Sequence, residues 1–419
     1  MNYAPLRVLP DVPPGGAVAG IDWASAGHVA CVVDMSGKVA GRLAVAHDRA
    51  GIAALTTWLR RAGAAETAIE RGDGALVDAL LAAGFTVVVI PPGQVKGLRS
   101  RHSSSGAKDD HFDAFVLADA LRTDRARLRP LVPDSPQVLA LRQAVRFRKD
   151  LVRDRVRAGN RLRAHLQAAF PGSVGLFSSL DCRLSLAFLA AFPTSAHAAH
   201  LDEQALTGWL ETVPARGNCA PGGVLAARLS AAAPGAGDPA LLAPVTVQMA
   251  GACADVAARI RAVEDQIAAQ LAACPDGHLF TSLPRAGTVR AARLLAEIGD
   301  CRARYTVPRA LAAAAGVSPV TRKSGKWESH DYRHAVSADL RDAVCDFADG
   351  SRRASPWAAR TYEAARARGK DHPHAVRVLA RAWTAIIWRC WQDGVPYDPA
   401  KHRALQDILQ DQAGQEDGR

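Results

Sequence analysis

No two of the eight cysteines stand in a CxxC pair. That scatter argues against a structural zinc site and against a disulfide framework, and it fits a reducing cytoplasm. No apolar run reaches the roughly 18 residues that a membrane span needs, and no charged-then-apolar leader opens the sequence. A membrane partner is therefore not expected. Lysine is scarce beside arginine, yet the 52 basic residues still exceed the 41 acidic ones, for a formal net charge of +11. An excess of that sign points to a polyanionic partner. Alanine is also abundant, and biased base composition would produce both features, so the charge alone identifies nothing. With 419 residues, 49% hydrophobic and 22% charged, the chain has material for the cores of two or three domains.

Residues 1–16 are rich in proline without periodicity, and a flexible arm is expected there. Three strands follow at 19–23, 28–35 and 39–46, the last two joined by the turn Ser36-Gly37-Lys38. Next come a helix over 52–61, a short strand at 67–70 and a helix over 75–83 closed by Gly84. Residues 86–90 are a continuous β-branched run, suited to a buried parallel strand, which Pro91-Pro92 ends. After a Ser/Gly-rich loop at 100–106, Ala114, Val116, Leu117, Ala120 and Leu121 mark an amphipathic helix. Three meandering strands, then helix, strand, helix, strand, helix, is the order of ribonuclease H-like nuclease folds. An α/β domain of that class is expected over 17–130.

The acids fall where such a fold would use them. Asp22 lies in an otherwise apolar strand, where an unpaired charge is costly. Glu70 ends the fourth strand, while Asp110 and Asp113, three residues apart, leave one face of the last helix. Like charges on one face repel, and a divalent cation that takes hard oxygen ligands would relieve them. Four such acids could hold two Mg²⁺ ions about 4 Å apart, the spacing that clamps both oxygens of a phosphoryl displacement. Mn²⁺ could substitute. Each acid also has a plainer reading: a strand-end cap for Asp22, a surface residue for Glu70, a charged first helical turn for the pair. Asp109 with Asp113 makes a similar face, so spacing leaves the choice between Asp109 and Asp110 open.

A long helix is expected over 137–170, with Val138, Leu141, Val145, Val152, Leu162 and Leu166 in mostly heptad spacing. A second seam, Met249, Cys253, Val256, Ile260, Val263 and Ile267, is spaced 4-3-4-3-4. Together they suggest a coiled-coil arm or an oligomerisation element over 135–275, interrupted by a loop-rich insertion at 171–245. The basic residues of the first helix, Arg142, Arg146, Lys149 and Arg153 among them, would suit phosphates; a solvated face is the other reading.

A mostly helical domain is expected over 276–396. Leu283-Pro284-Arg285-Ala286-Gly287-Thr288, with an apolar stretch at 291–298, resembles a helix-hairpin-helix. Backbone N–H groups beside Arg285 and Gly287 could cradle a phosphate there. Beyond a helix at 309–315, residues 316–326 read as a loop in which Ser324 sits among Arg322, Lys323 and Lys326. A serine hydroxyl is a poor nucleophile unless activated, and neighbouring cations would stabilise an oxyanion rather than deprotonate it. On its residues alone this is a phosphate-contacting or merely exposed loop. A helix over 372–392 with Trp383, Ile386, Ile387, Trp388 and Trp391 reads as core, and 397–419 as a loose tail.

Gly20-Ile21-Asp22, Ala68-Ile69-Glu70-Arg71, Val89-Ile90-Pro91-Pro92 and Lys108-Asp109-Asp110-His111-Phe112-Asp113-Ala114 together resemble the N-terminal half of the DEDD insertion-sequence transposases of the "one-ten" family. Members of that family include the bridge-RNA-guided recombinases. Leu283-Pro284-Arg285-Ala286-Gly287 with Leu294-Leu295-Ala296-Glu297-Ile298-Gly299-Asp300, and Ala315-Gly316-Val317-Ser318-Pro319 with Ser324-Gly325, resemble its C-terminal half. The resemblance spans about residues 18–395, the middle matching only in helical character. It implies a RuvC-like DEDD domain, a coiled-coil arm and a small helical transposase domain. It implies that Asp22, Glu70, Asp110 and Asp113 hold Mg²⁺, because the pattern Lys-x-Asp-x-x-Asp-Ala selects Asp110 over Asp109. It further implies that Ser324 attacks a DNA phosphate to form a phosphoserine link resolved by strand exchange. A structured guide RNA would choose the double-stranded donor and target DNA. Dimers would pair into tetramers, the serine of one protomer completing the acids of another, in the cytoplasm at the nucleoid.

Two departures stand out. The usual Thr before the third acid is Asp109, and the usual Gly-Asn then Arg-x-Leu-Arg reads Val336-Ser337-Ala338-Asp339-Leu340-Arg341. Competing readings are a RuvC-like nuclease or junction resolvase that uses water, an actin-like sugar kinase, and a non-catalytic nucleic-acid scaffold. The kinase reading suffers because Trp23-Ala24-Ser25 follows Asp22 where that fold wants a Gly-Thr, and because it has no use for Asp110 and Asp113.

Overall fold

The computed structural model describes residues 8–102, 109–214, 219–324, 327–333 and 336–416. The chain opens with β1 (Ala17–Trp23), β2 (Gly27–Asp34), β3 (Val39–Ala46), α1 (Arg49–Arg61), β4 (Glu66–Ile69) and α2 (Ala75–Ala82). It continues with β5 (Thr86–Val89), α3 (Pro92–Arg99) and α4 (Asp110–Thr123). The long helix α5 (Pro136–Ala169) is followed by four short ones, α6 (Arg183–Ala191), α7 (Ser195–Ala198), α8 (Glu203–Thr212) and α9 (Gly222–Ser230). A second long helix, α10 (Pro239–Ala273), leads to α11 (Gly277–Thr281), α12 (Gly287–Ile298) and α13 (Pro308–Ala314). A hairpin of β6 (Pro319–Ser324) and β7 (Trp327–Tyr332) precedes α14 (Ala338–Ser351), α15 (Pro356–Ala367), α16 (His372–Asp393) and α17 (Arg403–Glu416). Two compact units result, one of Met1–Asp134 with Cys301–Val336 and one of Ser135–Asp300 with Ser337–Arg419.

The first unit is built on a five-stranded sheet of order β3-β2-β1-β4-β5. β1 pairs antiparallel with β2 and parallel with β4, and β4 pairs parallel with β5. Along the chain, three strands and then helix, strand, helix, strand is the succession that the sequence pattern predicts. Because side chains alternate along a strand, β1 feeds two cores. Ala17, Ala19 and Ile21 pack with Leu55 and Leu59 of α1 and Leu76 and Leu80 of α2. Val18 packs on the other face with Ala114, Leu117 and Leu121 of α4. Gly20, on that same face, brings β1 so close to α4 that a Cβ there would lie 2.1 Å from the Ala114 carbonyl oxygen and 2.4 Å from the Ala118 nitrogen. Only glycine allows that approach.

Helix α3 is not foreseen by the sequence pattern. Pro91-Pro92 does end the strand region, but Pro92 is the first helical residue, where proline's missing N–H is no loss. The flexible arm is not seen over 8–16 either: Leu9 is buried, and the Pro10 carbonyl accepts from Arg125 Nε (3.0 Å) and Nη2 (2.7 Å). Residues 1–7 of that expectation lie outside the described residues. Arg125 also grips Glu66 at 2.6 and 3.0 Å, with both side chains buried. The expected loop at 316–326 is a hairpin over its described part, in which β-branched Val320 and Thr321 pair with Asp331 and His330, and Ser324 with Trp327.

In the second unit α5 and α10 run antiparallel, as the pairings Arg148–Glu264 and His165–Thr246 at 2.9 Å require. Val138, Leu141, Val145, Leu162 and Leu166 are buried on α5, and Cys253, Ile260, Val263 and Ile267 on α10, whereas Val152 and Val256 are half-buried. The stretch expected to be loop-rich is helical. Leu184, Phe188, Leu206, Leu210 and Leu225 of α6, α8 and α9 share one core with Leu162, Leu166 and Cys253. Its polar and proline residues start helices rather than interrupt them: Thr194 and Asp202 accept N-terminal backbone N–H groups, and Pro221 precedes α9. α10 is also, by length and composition, apolar enough to cross a membrane, with a window of mean hydropathy 1.4. The expectation counted uninterrupted apolar residues, and Thr246 and Gln248 break the run in α10 although the window mean stays high. The tail is not loose over its described part. Tyr397 and, in α17, Leu405 and Ile408 are buried, and the Tyr397 N–H donates to Ser282 Oγ at 2.8 Å.

Two outcomes follow. Arg125→Ala leaves Glu66 buried without its cation and should destabilise the first unit by about 3–5 kcal/mol, read from urea unfolding; a change below about 1 kcal/mol would mean that water replaces the guanidinium. Gly20→Ala forces a Cβ into the α4 backbone and should lower the thermal midpoint of that unit by several degrees, whereas Gly93→Ala, with open space around it, should leave it unchanged.

Candidate active site

Period-two alternation puts Asp22 on the same face of β1 as Gly20, toward α4, and Glu70 on the same face as Ala68. β1 and β4 are neighbours in register, Gly20 opposite Ala68 and Ile21 opposite Ile69. The two acids therefore emerge side by side at the carboxyl ends of adjacent parallel strands, both half-buried. Asp113, in the first turn of α4, is 1% exposed. Its carboxylate is held by both arms of one guanidinium, Arg99 Nε to Oδ1 and Nη2 to Oδ2, each at 2.5 Å. The hydrogen bond to Asp113 chiefly, with the charges of Glu70 and Asp22 behind it, raises the Arg99 guanidinium above its ordinary pKa against the opposing effect of burial. The side chain at the end of α3 that binds Asp113 thus also feels the charges of the acids from β1 and β4.

Asp110 is the first residue of α4 and is exposed. Asp109 acts instead as the N-cap of α4, its carboxylate accepting from the His111 N–H at 3.3 Å. The extra acid beside the cluster therefore has a structural use. Among the described residues no three His, Cys, Asp or Glu side chains are grouped closely enough to hold one metal ion. By residue type the candidate donors suit a hard cation, since all are carboxylates.

Ser324 ends β6 in the same unit and is exposed, as is Lys323, which pairs with Glu328 at 3.7 Å. Among the described residues no hydrogen bond or ion pair joins Ser324 to the acids. Lys326 and the Arg322 side chain lie outside what is described. Arg285 is exposed and, with φ 58°, adopts the left-handed conformation that a non-glycine residue rarely takes; Gly287 follows at φ 57°. Together they turn α11 into α12.

The basic row on α5 is not a plain solvated face. Arg142 Nε donates to the Ala296 carbonyl (2.6 Å), Arg146 forks onto Glu297 (2.8 and 2.9 Å), and Lys149 reaches Asp339 (2.8 Å) and Asp342 (2.6 Å). Only Arg153, paired with Asp150 at 3.0 Å, is spent along its own helix. These cations fasten α12 and α14 to α5. The departure at 336–341 belongs to this lattice, with Ser337 capping α14 and Asp339 supplying the anion.

Arg99 escapes a reading of the sequence because its partner is fourteen residues away, across a loop. Arg71 and Trp23 escape as well. Each directly follows one of the paired acids, and the Arg71 guanidinium lies 4.5 Å from the Trp23 ring centroid. Trp23 also contacts His28 and His47, whose Nε2 and Nδ1 atoms are 2.8 Å apart. Burial, and then the charge of His47, lowers the His28 pKa.

Comparison with known proteins bears on both halves of the chain. A family model described as Transposase matches residues 19–171, and one described as Transposase IS116/IS110/IS902 family matches residues 277–363. The "Mini-circle putative transposase for IS117" of Streptomyces coelicolor is 31% identical over 93% of this chain and 97% of its own length. The "Insertion element IS900 uncharacterized 42 kDa protein" of Mycobacterium paratuberculosis is 28% identical over 91% and 97%. Among solved structures, T. thermophilus RuvC in complex with a Holliday junction substrate is 18% identical over 27% of this chain and 99% of that one. Its TM-score is 0.22, too low to bear on the fold. With both halves matched and a relative aligned over nearly its whole length, the chain belongs to the IS116/IS110/IS902 family of transposases.

Proposed function

We propose that this transposase cuts and rejoins DNA by attack of Ser324 on a backbone phosphate, with Asp22, Glu70, Asp110 and Asp113 as the ligands of Mg²⁺ and Mn²⁺ as its substitute. The observation that carries the reading is that Asp22 and Glu70 leave adjacent parallel strands in register, while the buried Asp113 opens the helix packed closely on β1. A buried carboxylate with two more acids nearby is a costly arrangement for a merely structural role. When bound, the ion supplies Lewis-acid polarisation of a phosphoryl oxygen and neutralises the charge that develops there.

The rest falls to side chains. The Ser324 hydroxyl, exposed at the end of β6, bonds to phosphorus as a strand oxygen leaves, giving a phosphoserine link; a strand hydroxyl later attacks that phosphorus and returns the serine. Lys323 and its neighbours in sequence, Arg322 and Lys326, favour the anionic phosphorane over the ground state. The uncapped N-terminus of α12, behind Arg285 and Gly287, is suited to a phosphate of the duplex. The antiparallel α5/α10 pair serves as a coiled-coil arm, and dimers pairing into tetramers bring the serine of one protomer to the acids of another. A structured guide RNA chooses the donor and target DNA, and of Arg142, Arg146, Lys149 and Arg153 only Arg153, paired within its own helix, is left to turn to a phosphate. The runner-up is a RuvC-like nuclease in which water replaces the serine.

Ser324→Ala separates the two. It should abolish the covalent protein–DNA adduct and lower strand transfer by at least about 10³-fold, with the melting temperature unchanged because the side chain is exposed. Cutting at the parental rate would make water the nucleophile. Asp22→Asn should lower cleavage by a similar factor under either reading.

A further inference from the structure

We propose that Arg99 and a divalent metal ion compete for the Asp113 carboxylate, so that loading the acid cluster requires the Arg99 guanidinium to turn aside. This rests on the reading of Asp22, Glu70, Asp110 and Asp113 as metal ligands and assigns Arg99 a role of its own, that of a positioning residue.

Both oxygens of Asp113 are engaged by the guanidinium fork, so an ion that coordinates Asp113 must take at least one of them. The carboxylate is buried, and without a cation it would be strongly disfavoured. Arg99 therefore balances the buried Asp113 charge and fixes the orientation of its carboxylate through both oxygens. A divalent ion carries twice the charge of a guanidinium and so attracts a carboxylate more strongly at the same distance. The route out is open. Arg99 is the last residue of α3, and its side chain is 26% exposed, against 1% for Asp113. The next residues are held separately, Arg101 by Asp124 (3.3 Å) and His102 by Asp119 (3.3 Å). The side chain can leave while the backbone around it stays.

The buried pair Arg125–Glu66 gives a contrast within the same unit. There the guanidinium is 7% exposed and also donates to the Pro10 carbonyl, and its partner Glu66 lies at the opposite end of β4 from Glu70. That pair is nearly shut off from solvent, whereas Arg99 is 26% exposed.

The test is a Mn²⁺ titration of the full-length chain, followed by the electron paramagnetic resonance of free Mn²⁺ and by thermal melting, on the parent, Arg99→Ala, Arg99→Lys and Asp22→Asn. Arg99→Ala should bind Mn²⁺ at least about tenfold more tightly. It should melt lower than the parent without metal and gain more from Mn²⁺. Arg99→Lys keeps the charge but not the fork, and it too should bind more tightly than the parent. If Arg99→Ala tightens binding and Arg99→Lys matches the parent, the effect is one of charge alone and the competition is overturned. Should Arg99→Ala fail to fold, Arg99→Lys decides the matter by itself. Asp22→Asn judges the underlying reading: binding as tight as the parent's would remove the acids as metal ligands and the proposal with them. Weakened binding there, with no tightening in either Arg99 variant, would overturn the proposal for Arg99 and leave the acid site standing.

Discussion

The close approach of α4 to β1 is the constraint on which the N-terminal unit turns. With hydrogen alone at Gly20, the strand lies against the helix backbone at Ala114 and Ala118. The strand places Asp22 two residues beyond that point and the helix places Asp113 one residue before it, so a single contact sets the separation of two acids from different elements. Parallel pairing of β1 with β4 then adds Glu70 in register. The rest of the sheet serves this arrangement by packing on both faces, which leaves β1 and β4 little freedom to shift.

Buried charge is handled in two ways. Glu66 and Arg125 form a buried pair that pins residues near Pro10 to the sheet. Asp113 and Arg99 form an open pair with further acids alongside. The same bidentate geometry is a fastener in one place and a contest in the other, and the difference lies in what surrounds the guanidinium. In the second unit the basic residues of α5 face Glu297, Asp339 and Asp342, so charge that reads in sequence as a stripe for a polyanion is largely committed to holding helices together. A net charge of +11 is thus a poor guide to where a nucleic acid would lie.

Elements whose cause is local are legible in the sequence. Alternation identifies β1 to β3, the β-branched run at 86–90 identifies β5, and spacing identifies α4, α5 and α16 with boundaries within a few residues, but of α10 only its seam and not its ends. Elements whose signals are ambiguous are not. Proline reads as an end at Pro92 and across 171–244, although it is equally a start. The tail lacks a long apolar run because Leu405 and Ile408 suffice to seat α17. The hairpin at β6 and β7 is too short and too polar to announce itself.

For the site, the sequence by itself determined the residue types, their order, and through resemblance the family: Asp22, Glu70, Asp110 and Asp113 stand in a row that chemistry can interpret. It also left Asp109 and Asp110 indistinguishable by spacing, and only the cap geometry shows Asp109 occupied with the helix N-terminus. Tertiary structure alone decided which cation meets which acid. Arg99 rather than Lys96 or Arg101 reaches Asp113, and Arg142, Arg146 and Lys149 turn inward. The physical reason is that periodicity reports which face of an element is apolar, whereas an ion pair depends on where two elements cross, and that is set by the packing of residues far apart in the chain.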